Sequence, residues 1–156
     1  MKAELKVREY RDSDLNQVLF LHRKAMEPIG VYKEGPWNDD LKDITGHYKN
    51  NHGIFLVGEI RNKIVAMGAI RKIDENIAEV KRMRTDPQHQ GLGYGKTILS
   101  NLIRIAKELN YSELILETSD KQVKAINLYK SFGFTEYKKE TIDGFNCTWY
   151  KLKIVK

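Results

Sequence analysis

A single cysteine, Cys147, excludes an internal disulfide framework, so the core alone must hold the fold. No apolar run approaches the roughly 20 residues that a transmembrane helix needs. The charged stretch Met1 to Arg11 lacks the apolar centre of a secretion signal. A cytoplasmic location with no membrane partner is the resulting expectation. The four histidines, His22, His47, His52 and His89, form no His-Glu-x-x-His pattern, and no Cys-x-x-Cys pair exists, so no metal is assigned. Only three prolines interrupt the chain, and no segment rich in Pro, Gly or Ser offers a linker between domains.

With 156 residues at 41% hydrophobic composition, one domain spanning residues 1–156 around one core is expected. The net charge of +6 favours an anionic partner: nucleic acid, an anionic membrane or a phosphorylated cofactor. The basic residues are scattered among 21 acids and form no block, which reads as a solvated surface. Aromatics do not alternate with Lys or Arg as stacking platforms do, so nucleic acid is not expected as a partner.

Periodicity gives the order β, α, α, β, β, β, α, β, α, β, β. Leu5 to Tyr10 alternates as a short strand. A helix comes next, with Asp12 or Ser13 as N-cap and Leu15, Val18, Leu19, Leu21 and Met26 on one face until Pro28 and Gly30. Leu41, Ile44 and Tyr48 suggest a second short helix. Ile54–Ile60 and Ile64–Ile70, separated by Arg61-Asn62-Lys63, predict an antiparallel hairpin, extended by a third strand over Ile77–Thr85. A strongly apolar helix carrying Ile98, Leu99, Leu102, Ile103, Ala106 and Leu109 then leads to a buried strand at Leu114–Thr118. Strand, helix and strand make a βαβ crossover with its two strands parallel. Ser119-Asp120-Lys121-Gln122 fits a capping box for a helix ending at Gly133, and Phe134–Glu140 and Phe145–Ile154 close the chain as a hairpin turned at Asp143-Gly144.

The crossover opens on three alternate glycines, Gly91, Gly93 and Gly95. Glycine tolerates positive φ and lets backbone N–H groups approach a ligand, and the helix behind adds its own unpaired N–H groups. This is an anion cradle. A Walker loop, Gly-x-x-x-x-Gly-Lys-Ser/Thr, is satisfied by Gly95-Lys96-Thr97 but needs glycine where Gln90 stands. A dinucleotide fingerprint, Gly-x-Gly-x-x-Gly, fails at Lys96. Gln90-Gly91-Leu92-Gly93-Tyr94-Gly95 does fit Gln/Arg-x-x-Gly-x-Gly/Ala, and here the chain resembles the GNAT superfamily of N-acetyltransferases, whose pyrophosphate loop has that pattern. It is similar to that family also in the strand Ile77–Thr85, in Asp86-Pro87 before the loop, and in Ala125 to Phe134, which looks like the signature Ala-x-x-Leu-Tyr-x-x-x-Gly-Phe. The resemblance is close over residues 54 to 154; the first fifty residues match only in element order.

The resemblance implies a mixed α/β (α+β) fold: a mainly antiparallel sheet with a central parallel βαβ crossover and helices on both faces. It implies acetyl-CoA as donor, with pyrophosphate on the backbone from Gln90 and Gly91 through Leu92, Gly93, Tyr94 and Gly95 to Lys96, and pantetheine along the main chain of Met83, Arg84 and Thr85. The acceptor is a small-molecule or protein amine, and dimers are common among similar proteins. Tyr129 occupies the family's general-acid position, its alternative being a core aromatic beside Phe132 and Phe134. Glu79, eleven residues before Gln90, stands where several similar enzymes place the base. Its alternative is an ion pair with Lys81 or Lys139. The Met83 N–H would polarise the carbonyl. Many relatives carry a cofactor-touching asparagine where Gln122 stands; Gln122 either keeps that contact or closes the capping box with Ser119, which would leave Asn127 as the substitute. The rival to catalysis is a module that binds acyl-CoA or another phosphorylated ligand without turnover.

Overall fold

The computed structural model describes residues 4–155. The alternating segments form strands β1 (Lys6–Glu9), β2 (Ile54–Ile60), β3 (Lys63–Lys72) and β4 (Ile77–Thr85), paired antiparallel in that order. The β2–β3 turn is shorter than the three residues expected. Ile60 pairs with Lys63, and Arg61 and Asn62 alone make the turn at φ 51° and 67°. Two positive φ values give a turn whose twist matches that of the flanking strands.

Helix α1 (Leu15–Met26) and the one-turn α2 (Ile44–His47) precede β2, and α3 (Tyr94–Glu108) crosses over to β5 (Glu113–Ser119). Helix α4 (Val123–Ser131) leads to β6 (Thr135–Ile142) and β7 (Phe145–Lys153). The seven strands lie in the order β1-β2-β3-β4-β5-β7-β6, with β4 and β5 parallel and every other neighbouring pair antiparallel. The expected mixed α/β class with a central parallel crossover is what forms. No described helix is long and apolar enough to cross a membrane.

The sheet is covered on both faces. Ile98, Leu99, Leu102 and Ala106 of α3 pack with Val65, Ile70, Ala78, Val80, Leu114 and Leu116. Val18 and Leu21 of α1 pack with Tyr48, Phe55, Val57, Ile64 and Met67 on the other side. Two local expectations fail. Neither Asp12 nor Ser13 caps α1: a 3-10 turn over Asp12–Asp14 comes first, and the buried Asp14 accepts from the Arg11 N–H at 2.9 Å and pairs with Arg8 at 2.7 Å. The helix expected around Leu41 to Tyr48 is broken into a 3-10 segment, Pro36–Lys42, and α2, because Asp43 turns back to accept from the Gly46 N–H at 3.1 Å.

Two irregularities in β4 set the geometry on which the functional site is built. First, β4 and β5 pair only from Ile77↔Glu113 to Glu79↔Ile115, although both strands continue; they splay apart and leave a strand edge free. Second, β4 is bulged. Met67 pairs with Arg84 and Ala69 with Lys81, so Arg82 and Met83 together face Gly68. Arg82 takes φ 60°, which a non-glycine residue adopts only when its surroundings hold it there. An inserted residue reverses the inside-outside alternation of a strand. Ala78 and Val80 face α3 before the bulge and Met83 does so after it, which turns Arg84 to the α1 side. Gly68 makes room: a Cβ there would lie 2.5 Å from Met83 Sδ and 2.7 Å from Ile98 Cγ2.

Candidate functional site

The glycine loop is anchored by Asp86, whose buried carboxylate accepts from the Gln88 N–H at 2.9 Å and from Lys24 Nζ at 3.1 Å. Gly91 and Gly93 have φ 79° and 83°, and Gly93 is the N-cap of α3. An added Cβ at either meets no protein atom within 4 Å, so it is the left-handed backbone that requires glycine there. The N-terminus of α3 presents backbone N–H groups at the positive end of the helix dipole.

These elements wall a cleft of about 510 Å³. Met83, Arg84 and Thr85 line it from the splayed edge of β4, Gln90, Gly91 and Gly93 to Lys96 from the loop and α3, and Gln122 and Tyr129 from the α4 side. Gln90 Oε1 also accepts from Lys124 Nζ at 3.0 Å, tying the loop to α4. The donor set fits acetyl-CoA: positive-φ glycines and a helix N-terminus suit a pyrophosphate, Lys96 adds charge, and an unpaired strand edge suits an amide-bearing arm. Leu92 and Asn127 lie outside the lining, both exposed.

On the α1 side lies a second cleft of about 200 Å³, lined by His22 and Met26 of α1, Trp37 and Asn38 of the loop before α2, Lys81 and Arg84 of β4, Glu117 of β5, and Phe145 and Cys147 of β7. Met83, Arg84, Gln122 and Tyr129 belong to both clefts. Two chambers therefore meet through the splay between β4 and β5, with a phenol and a guanidinium at the junction.

The profile of the Acetyltransferase (GNAT) family matches residues 17–134. The chain belongs to that family. It is 31% identical over 134 residues to human N-acetyltransferase 8, covering 82% of this chain and 57% of that protein, and 31% identical over 122 residues to rat N-acetyltransferase 8F1, covering 75% and 55%. The chain thus spans little more than half the length of these relatives. Its fold matches a Staphylococcus aureus GNAT acetyltransferase with TM-score 0.90 at 24% identity, covering 97% of this chain and 100% of that one. A Salmonella typhimurium protein solved with its cofactor acetyl-CoA matches with TM-score 0.80 at 18% identity, covering 97% and 95%.

Within this GNAT fold, Tyr129 is buried and stacks edge-on against Phe134 at 5.8 Å, so its core and junction positions are the same place. Burial pushes its phenol up to about 12; Arg84 pulls it down and Glu117 pushes it up. It therefore keeps its proton at neutral pH.

Glu79 is not brought to the junction. It is buried, it accepts from Arg71 Nε at 3.0 Å and Nη2 at 2.7 Å, and it lies outside both linings. The ion-pair reading is the one the geometry favours, with Arg71 as the main partner and Lys81 at 3.9 Å. The capping box also fails: Ser119 Oγ accepts from the Lys121 N–H at 3.2 Å, and Gln122, itself the N-cap of α4, makes no capping bond. Gln122 faces the clefts instead.

Sequence patterns do not single out three groups at the junction. Arg84 enters the sequence reading only through its backbone, yet its guanidinium lies between the clefts, donating from Nε to His22 Nδ1 at 3.2 Å and from Nη1 to the Met83 carbonyl at 2.7 Å. Burial pushes Arg84 down to about 10, with Arg82 adding to the effect. Burial, with Arg84 and Arg82 nearby, pushes His22 down to about 3, so the imidazole is neutral. Glu117 is the carboxylate beside Tyr129 and Cys147, and burial, then Glu117, pushes the Cys147 thiol up to about 12. Only the placement of Glu117 twelve residues before the signature tyrosine could have flagged it.

Proposed function

We propose that the protein transfers an acetyl group from acetyl-CoA to a primary amine by direct attack in a ternary complex. The meeting of the two clefts at Tyr129 supports this most strongly, because direct transfer needs donor and acceptor to approach from opposite sides of one opening. Bound acetyl-CoA supplies an activated thioester and a thiolate leaving group. The α3 N-terminus with Gly91, Gly93 and Lys96 holds the pyrophosphate, and the β4 edge at Met83 and Thr85 orients the arm.

Tyr129 keeps a proton on its phenol oxygen at neutral pH and hands it to the thiolate. The Met83 N–H would polarise the thioester carbonyl. Glu117, rather than Glu79, takes one proton from the acceptor ammonium, since it is the carboxylate in the cleft that also faces Tyr129, and the second proton, shed by the nitrogen as the amide forms, returns to the Tyr129 oxygen. The described chain acts as one N-acetyltransferase domain, and its acceptor is a free amine.

The test is incubation with acetyl-CoA and a panel of primary amines, following release of free thiol. Turnover on at least one amine class, lost in Tyr129→Phe, is the expected result. Binding of acetyl-CoA without turnover on any amine would refute the enzyme reading and leave a binding module.

A further inference from the structure

The two other enclosed arginines each hold a carboxylate. Arg8 pairs with Asp14 at 2.7 Å and Glu59 at 3.1 Å, and Arg82 pairs with Asp40. Arg84 has none. Among the described residues its Nε and Nη1 meet a neutral imidazole and a backbone carbonyl, and its Nη2 makes no hydrogen bond. A guanidinium drawn into a cleft without a counter-charge is costly, and enclosed charges are normally paired. Its placement is also deliberate, because the β4 bulge turns this side chain from the core face to the α1-side cleft.

The missing counter-charge has a chemical identity. The pyrophosphate cradle is the glycine loop at the α3 N-terminus, whereas Arg84 lies at the junction of the clefts beside Tyr129, its guanidinium bonded to His22 of the smaller cleft. That cleft is cationic on balance: with Arg82 neutralised by Asp40, Lys33, Lys81 and Arg84 are set against Glu117 and Asp143. A planar fork of donors matches a carboxylate. Glu117 in the same cleft supplies the opposite pole, suited to an ammonium group.

We infer that Arg84 binds a carboxylate of the acceptor, so that the amine acetylated belongs to a free α-amino acid, and not to a polyamine or a protein N-terminus. This rests on the smaller cleft being the acceptor site of the proposed transfer. Tyr129 then faces an amine held between Glu117 and the carboxylate anchor.

The experiment compares free α-amino acids with their matched amides and decarboxylated amines, by thiol release and by calorimetric titration into the CoA-loaded protein. The acids should exceed amides and amines in kcat/KM by roughly ten- to a hundredfold, as expected for a charge-assisted hydrogen-bonded pair. Arg84→Gln should erase most of that preference through the KM of the acid, and Arg84→Lys should restore part of it. Equal use of acids, amides and amines by the unaltered protein would overturn the inference while leaving acetyl transfer intact. So would an Arg84→Gln loss equal for all three. Calorimetric binding of the acids, weakened by Arg84→Gln but without thiol release, would uphold the carboxylate site and refute the transfer. Absence of any binding or turnover of carboxylate-bearing amines would overturn the inference.

Discussion

Asp40→Asn tests the device that holds the bulge. Asp40 and Arg82 are each 7% exposed at the side chain; Asp40 accepts from Arg82 Nε at 2.9 Å and from Tyr48 OH at 2.6 Å. Arg82 Nη2 also donates to the Trp37 carbonyl at 2.6 Å, so one cluster ties the segment before α2 to the φ 60° residue of β4. Burial alone would raise the Asp40 carboxyl, but the bond to Arg82 and its charge outweigh that and hold it below 3.8. An amide in its place keeps the shape and leaves a buried guanidinium unpaired. Breaking such a pair costs about 3–5 kcal/mol. At about 2–4 °C per kcal/mol for a chain of this size, Tm should fall by about 6–20 °C. The measurement is thermal and urea unfolding by circular dichroism at pH 7. Because the folded carboxyl titrates below its unfolded value, the contribution is complete above pH 3.8 and disappears as pH falls through the folded value, so the two proteins should converge in acid. In the same variant the relaxed bulge should misplace Arg84, lowering kcat/KM for the acceptor at least tenfold while acetyl-CoA still binds the glycine loop. A Tm loss under about 2 °C would show that the pair does not hold the bulge, and unchanged acceptor kinetics in a destabilised variant would separate bulge from site.

Tyr129→Phe should lower kcat by about a hundredfold or more with little change in KM, the size typical of a lost general acid; an unchanged rate would return Tyr129 to a packing role. Gly93→Val puts a β-branched residue at φ 83°, so acetyl-CoA affinity measured by calorimetry should fall at least tenfold, with a backbone cost of about 1–2 kcal/mol in urea unfolding. His22 supplies a pH dependence. Its folded value of about 3 lies below the ordinary 6.5, so between those values the unfolded chain binds the extra proton and stability falls as pH drops. The slope approaches roughly 1.4 kcal/mol per pH unit for one proton, and His22→Asn should flatten it in urea titrations from pH 7 to 4.

The features legible in the chain rest on local rules. The apolar period of α3 and the spacing of Gly91, Gly93 and Gly95 predict a crossover with an anion site, and the φ values at Gly91 and Gly93 are those such a loop needs. The stretch from Ala125 to Phe134 places Tyr129 on a short helix after β5. Ser119 and Gln122 show the limit, since a capping box is a pattern that nearby backbone can pre-empt, as the Lys121 N–H does here. Glu79 shows another: its spacing is that of a base, but its partner Arg71 lies on the neighbouring strand, a relation that one strand's sequence does not carry.

The sequence by itself determined the elements, their order and the anion cradle, because helix period, strand alternation and glycine φ are properties of a few adjacent residues. Only the tertiary structure decided the junction. The splay of β4 from β5, the bulge that turns Arg84 to the α1 side and the Asp40 anchor that holds Arg82 join residues far apart in the chain. Each is set by which side chain finds its counter-charge or fills its space once the sheet has formed. The cradle was legible as local backbone chemistry; the cleft facing it exists only where distant segments pack.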